Sequence, residues 1–153
     1  LPGLDLVKRI AASDERTSFV GTHFFYEDIS GRHPDEDKHE LVETTDTEYL
    51  VKSTPKSSKG VEFAHYTLRI NKKTFLPSQI EYVNAQGKAY RRIETAKVDT
   101  VQGKPTITRL KVSDLESGGY TLSDVSNVSY DLGIPDDIFV ETSLRNPPQK
   151  WLR

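Results

Sequence analysis

The chain contains no cysteine, which excludes a disulfide framework, a thiol nucleophile and a thiolate metal site together. No run of about 18 apolar residues occurs, the length a membrane-spanning helix requires. No segment carries the charged, apolar and small-residue zones of an export signal. The chain begins Leu1-Pro2-Gly3 rather than with methionine, and a processed or shortened amino terminus would have removed such a signal. Charge of one sign is not in excess, with 21 Lys and Arg against 23 Asp and Glu. The paired bases Lys72-Lys73 and Arg91-Arg92 stand alone rather than in a stripe, so nucleic acid is not an expected partner. Internal repeats and low-complexity segments are also missing.

The 153 residues suffice for one domain. Hydrophobic residues make up 35% and charged residues 29%, a composition that folds around a modest core. The clearest organisation lies between Glu62 and Thr95. Tyr66, Leu68 and Ile70 alternate with Thr67, Arg69 and Asn71, the period-2 signature of a strand with one dry face. Ile80 and Tyr82 repeat the pattern against Gln79 and Glu81, after a connection ending in Pro77. Asn84-Ala85-Gln86-Gly87 then turns the chain, Gly87 being best able to take a positive φ, and Lys88 to Thr95 runs back. This is a meander, apolar and rich in tyrosine on one face, with Arg69, Gln79 and Glu81 on the other.

On either side the signals are shorter. Leu4 to Ala12 is too mixed in spacing to separate a strand from a short helix, and strand is the favoured reading. Thr22 to Gly31 reads as one or two helical turns, with Thr22 as a cap, Phe25 and Ile29 sharing a face, and Gly31 beyond the end. A helix that short must dock Phe24, Phe25 and Tyr26 on the dry face of the sheet. His33 to Glu40 reads as a charged loop, and Leu41 to Glu43 and Glu48 to Ser53 as strands around a Thr44 to Thr47 turn. Gln102-Gly103 and Glu116 to Gly119 mark turns bounding strands Thr106 to Leu115 and Tyr120 to Tyr130. Gly133 to Phe139 places Pro135 at a first helical position with Asp136 and Asp137 behind it. Pro147-Pro148 then interrupts regular structure, leaving Trp151 as an anchor.

The fold class expected is mainly β, a curved antiparallel meander sheet forming an incomplete barrel, with short helical lid segments. Curvature is expected because several strands slip phase. Tyr90 keeps even parity while Ile93 is odd, Ile107 is odd while Leu110 and Val112 are even, and Val125 breaks the parity of Leu122. Bulges produce such slips, and they bend and twist strands.

Catalytic chemistry finds little support. His33, Asp35, Asp37 and His39 are metal-type residues, but their spacing matches no closed-site pattern. Asp136 and Asp137 read as partners of a helix dipole rather than an acid-base pair. No Gly-x-Ser-x-Gly elbow occurs. His65 falls on the polar parity of its strand and reads as a surface residue. The tyrosines admit two readings, plain core packing or an amphipathic lining for a lipid-like ligand.

Ser18 to Ile29, reading Ser-Phe-Val-Gly-Thr-His-Phe-Phe-Tyr-Glu-Asp-Ile, resembles the signature of the bacterial outer-membrane lipoprotein-sorting protein family. Ser53-Thr54-Pro55-Lys56, followed by Ile70-Asn71-Lys72 and Leu76-Pro77, looks like that family's middle. Leu132-Gly133-Ile134-Pro135-Asp136-Asp137-Ile138-Phe139 looks like its carboxyl-terminal motif. The resemblance runs in order along nearly the whole chain. It implies a half-barrel like that of the periplasmic lipoprotein carriers, a curved sheet around an apolar cavity with short helices as a lid.

Family members carry roughly a further hundred residues before the point matching Leu1, giving a domain of more than about 200 residues. Residues 1–153 are therefore expected to be one domain, the carboxyl-terminal portion of a larger half-barrel. Cargo-binding residues of the carriers fall mostly in that preceding part, so none transfers to this chain. The implied function is a non-enzymatic periplasmic carrier for lipid, lipoprotein acyl chains or another hydrophobic ligand, without cofactor or metal, beside an inner-membrane transporter. The alternative is a periplasmic sensor or protein-binding module of envelope-stress signalling. The expected ligand-binding residues are Tyr66, Leu68, Ile70, Ile80, Tyr82, Leu110 and Val112 on the sheet, with Phe24, Phe25 and Ile29 from the lid. An open edge and an uncovered apolar face are expected to drive self-association, pairing with the amino-terminal half, or lipid binding.

Overall fold

The structure, a computed structural model, describes residue 11 and residues 14–151. The strand expected over Leu4 to Ala12 lies outside these residues, Ala11 excepted. Seven strands form one antiparallel sheet in chain order. They are β1 (Asp37–Thr44), β2 (Glu48–Pro55), β3 (Phe63–Asn71), β4 (Pro77–Asn84), β5 (Ala89–Val101), β6 (Lys104–Asp114) and β7 (Tyr120–Asp124). Among the described residues β1 and β7 are its two edges and no ladder joins them, so the sheet is not closed into a barrel. The helices are short: α1 (Tyr26–Ser30), α2 (Glu141–Arg145) and 3-10 turns at Pro34–Glu36, Asp136–Ile138 and Gln149–Trp151. No described helix is long and apolar enough to cross a membrane.

The meander has the expected register, with Tyr66 opposite Tyr82 and Leu68 opposite Ile80. Partners directly across a ladder share a face, so Ile80 opposite Ile93 and Ile93 opposite Val112 carry the same surface across β5 and β6. Its turns follow from local chemistry. Gly87 takes φ +78°, while Asn84 Oδ1 accepts the Gln86 and Lys88 N–H groups at 3.1 and 2.9 Å. Gln102 and Gly103 both adopt positive φ, 50° and 77°, the two-residue geometry whose twist suits a hairpin.

Two of the phase slips are bulges, while the one at Val125 lies past the end of β7 at Asp124. Tyr90 has no opposite number between Arg91 (facing Tyr82) and Ala89 (facing Val83). Thr108 is the extra residue between Ile107 and Arg109, and Ala96 the one between Thr95 and Lys97. Each extra residue resets which parity faces inward. At the first of these Arg91 joins Ile93 on the inner face, while Tyr90, the inserted residue, stays packed against the core beside it.

Several expected boundaries are corrected. β1 begins at Asp37, inside the supposed charged loop, because Asp37, Lys38 and His39 pair with Pro55, Thr54 and Ser53. Charged side chains are tolerated there because β1 is an edge strand exposed along nearly its whole length. The strand expected over Tyr120 to Tyr130 stops at Asp124. Beyond it Asn127 and Asp131 take left-handed backbone, φ 56° and 57°. Tyr130 is held instead by side chains, its N–H on Gln102 Oε1 at 2.6 Å and its hydroxyl 2.8 Å from Thr106 Oγ1. α1 begins at Tyr26 with Phe25 as its cap residue, not Thr22. Thr22 closes the preceding turn, its hydroxyl donating to Phe19 O at 2.6 Å. Pro135 precedes the 3-10 turn it was expected to open, and α2 has no counterpart in the sequence reading.

The core is small. Phe63, Tyr66 and Tyr82 are buried together, with Val61, Leu68, Ile80, Tyr90 and Ile93 packed against them. Phe63 meets both tyrosines edge-on, at centroid distances of 5.5 and 5.4 Å, the arrangement ring quadrupoles favour. Val112 is fully buried on β6. Val112→Ala is expected to lower unfolding free energy by about 2 kcal/mol, whereas Val42→Ala on the exposed edge should change it by less than about 0.5 kcal/mol. Urea titration of both variants measures the contrast.

Candidate functional site

A helix of five residues cannot sustain itself in water, so what fastens α1 decides whether a site exists beneath it. Locally, the Phe25 N–H donates to Asp28 Oδ2 at 2.6 Å, and Gly31 at φ +81° ends the helix with its N–H on Glu27 O at 2.8 Å. The fastening to the sheet is ionic. Both terminal nitrogens of Arg91 on β5 reach the Asp28 carboxylate, and Nη2 also donates to His23 O at 3.2 Å. The Arg91 guanidinium lies over the Phe25 ring at 4.2 Å and 5.3 Å from the Tyr82 centroid.

A second clasp runs to β1. Glu27 Oε1 accepts from Arg16 at 2.8 Å and from Arg32 at 3.2 Å. Arg32 in turn grips both oxygens of Asp37, each at 2.9 Å, and Tyr66 donates its hydroxyl to Asp37 Oδ2 at 2.7 Å. Arg16 and Arg32 also stack near Phe63, 4.4 and 5.5 Å from its centroid. The guanidinia thus bridge helix, strand and aromatic core at once.

Burial works to raise the Asp37 carboxyl, but the Arg32 and Tyr66 hydrogen bonds and the Arg32 charge outweigh it and hold the group below its usual value. Glu27 goes the other way. Burial raises it, and Arg16 and Arg32 do not fully compensate. Burial, followed by the nearby Asp28 charge, pushes Tyr82 up to about 12.

Between α1 and the sheet lies a cavity of about 320 Å³. Six of the expected ligand-binding residues meet there: Tyr66, Leu68, Ile80, Tyr82, Leu110 and Phe24. Ile93 and Ile107 join them, with Glu27, Asp28 and Arg32 at the margin. Four expected residues do not line it. Val112 is packed into the floor, fully buried opposite Ile93. Ile70 sits farther along β3, between Tyr49 and Pro77. Phe25 lies against Arg91 and borders a separate cavity of about 190 Å³. Ile29 is 59% exposed. With Asp28 drawn inward by Arg91, the next residue turns away by about 100° of helix rotation. Gln79, expected on the polar face, borders the cavity beside the irregular pairing at Ser78.

The clasp residues escaped the sequence reading, because Arg16, Glu27, Asp28, Arg32, Asp37 and Arg91 converge from separate segments. Only Arg91 carried a signal, its odd parity shared with Ile93. The metal-type residues do not converge. Asp37 is held by Arg32 and Tyr66, and His39 bridges Ser53 Oγ at 2.8 Å and Pro34 O at 2.9 Å.

Asp37 lends its stability above the unfolded carboxylate value of about 3.9 and loses it as pH falls through its lower native value. Asp37→Asn is therefore expected to lose about 3 kcal/mol at pH 7, where a buried pair is broken, and to show a shallower further decline than the parent chain below about pH 4. Denaturant midpoints at pH 7 and pH 3 measure both.

A family model described as "Uncharacterized protein" matches residues 1–146. Among solved structures, a DUF1329 family protein from Desulfovibrio piger is similar at 27% identity, with a TM-score of 0.81 over 91% of this chain and 60% of that one. A putative outer membrane lipoprotein-sorting protein domain from Vibrio parahaemolyticus matches at 20% identity and a TM-score of 0.83, over 95% of this chain and 63% of that one. A LolA superfamily protein from Nitrosomonas europaea matches at 22% identity and a TM-score of 0.66, over 84% and 60%. The chain thus spans 60 to 63% of the length of the structures it resembles. No curated protein matches it. By fold it is like the lipoprotein-sorting proteins, and by sequence the chain belongs to the family whose model covers residues 1–146.

Proposed function

We infer that this chain is part of a non-enzymatic periplasmic carrier that shields an acyl chain or similar hydrophobic ligand. The observation carrying this reading is the apolar cavity of about 320 Å³ held open beneath α1. That volume is at the small end of the usual range for ligand pockets, about 300 to 1,000 Å³. It has room for on the order of ten water-sized groups, so methylenes of similar size fill it with a segment of an acyl chain. At about 0.8 kcal/mol per buried CH₂, ten methylenes gain about 8 kcal/mol before ordering costs. Such a gain corresponds to micromolar binding or weaker, which suits handover better than storage. The fold shared with lipoprotein-sorting proteins supports the periplasmic setting.

Leu68→Asp and Ile80→Asp each place a carboxylate in the cavity and are expected to weaken uptake of a fluorescent fatty acid at least tenfold, a penalty of about 1.4 kcal/mol or more. Leu41→Asp on the exposed edge should leave uptake unchanged. Equal uptake by all three variants, each folded by circular dichroism, would reject the carrier reading.

A further inference from the structure

The apolar cavity adjoins a charged one of about 370 Å³, and Glu27 and Arg32 border both. Four basic and four acidic side chains line the charged cavity. Their charges cancel, but their engagement differs. Arg16 is taken up by Glu27 and Gly60 O, and Arg32 by Glu27, Glu36 and Asp37. Lys56 Nζ donates only to the Asp35 carbonyl, at 2.7 Å, and among the described residues the side chains of Lys59 and Glu15 have no hydrogen-bond or ion-pair partner. The Asp35 carboxylate meets only His33, at 3.6 Å, and is 90% exposed.

The charged cavity therefore offers two ammonium groups without a carboxylate partner, Lys56 and Lys59, and two carboxylates, Glu15 and Asp35, that no lysine or arginine engages, next to the apolar cavity with which it shares Glu27 and Arg32. A simple anion would meet Lys59 but also the two carboxylates. A simple cation would meet Lys59 as a repulsive neighbour. A group carrying both signs satisfies both at once, since a phosphate pairs with an ammonium side chain and an ammonium pairs with carboxylates.

We propose that the charged cavity takes the zwitterionic phosphate–ammonium headgroup of an amphiphile whose chain lies in the apolar cavity. The phosphate sits against Lys59, and the ammonium against Glu15 and Asp35. The Glu27–Arg32 pair marks the boundary between headgroup and chain. This inference rests on the carrier reading and adds the class of ligand to it.

The test is isothermal titration calorimetry of the 153-residue chain with three single-chain lipids of equal chain length, below their aggregation concentrations. They are a lysophosphatidylethanolamine, a lysophosphatidic acid and a monoacylglycerol. The zwitterion is expected to bind at least tenfold more tightly than the other two. Lys59→Glu, at an exposed position, should remove that preference without changing monoacylglycerol affinity. Glu15→Lys should shift preference toward lysophosphatidic acid. Three lipids binding alike, or a zwitterion preference that survives Lys59→Glu, would overturn the headgroup site and leave the carrier reading standing. Failure of all three to bind would overturn both.

Discussion

Asp28 and Arg91 form the contact on which the rest of the site depends. Their side chains are 9% and 5% exposed, so removing either leaves a largely desolvated charge behind, typically worth about 3 to 5 kcal/mol. α1 has too few internal hydrogen bonds to persist alone, and it buries no residue completely. Its position over the sheet is an electrostatic result rather than a hydrophobic one. The second clasp, Glu27 with Arg16 and Arg32, fixes its other side, and Arg32 passes that restraint to Asp37 at the start of β1. One network therefore joins the helix to strands β1, β3 and β5, with Tyr66 contributing from β3.

An ionic fastening has a consequence for the space below it. Had Phe25 and Ile29 pointed inward, as their shared helical face suggested, burying them would have gained about 1.5 to 3 kcal/mol each, but they would have filled the volume now open. Ile29 remains exposed, and Phe25 is given to Arg91 instead. Of Phe24, Phe25 and Ile29, only Phe24, which precedes the helix, reaches the cavity. The hold on the helix thus comes from charge, and the apolar surface lining the cavity is left uncovered by it.

The sheet was legible because its signal is local. Alternation at Tyr66, Leu68, Ile70, Ile80 and Tyr82 needs only period 2 to be read, and the turns at Gly87 and Gly103 need only a residue that accepts positive φ. Even the bulges left a trace, as parity slips at Tyr90 and Ile107 that the ladder reproduces at Tyr90 and Thr108. The clasp was not legible. Arg16, Glu27, Arg32 and Asp37 meet across three separate elements, and no spacing in the sequence encodes which carboxylate an arginine will find. β1 was misjudged for a related reason. Asp37-Lys38-His39-Glu40 looks like a loop by composition, and only pairing with β2 makes it a strand. The early end of β7 came from left-handed backbone at Asn127 and Asp131, which neither residue type requires, though both tolerate it.

The bulges and the clasp are also connected to each other. Without the extra residue at Tyr90, the strict alternation of β5 would keep Tyr90 opposite Tyr82 and turn Arg91 to the outer face. The bulge places Arg91 opposite Tyr82, where the guanidinium can lie near that ring and reach Asp28. A cation enters an otherwise apolar face only because a carboxylate waits there and two aromatic rings flank it, since an unpaired buried charge would cost several kcal/mol. The same irregularity that bends the sheet thus supplies the residue that fastens the helix across it. Curvature and the anchoring of α1 are linked at this position, while the bulges at Ala96 and Thr108 add curvature farther along β5 and β6.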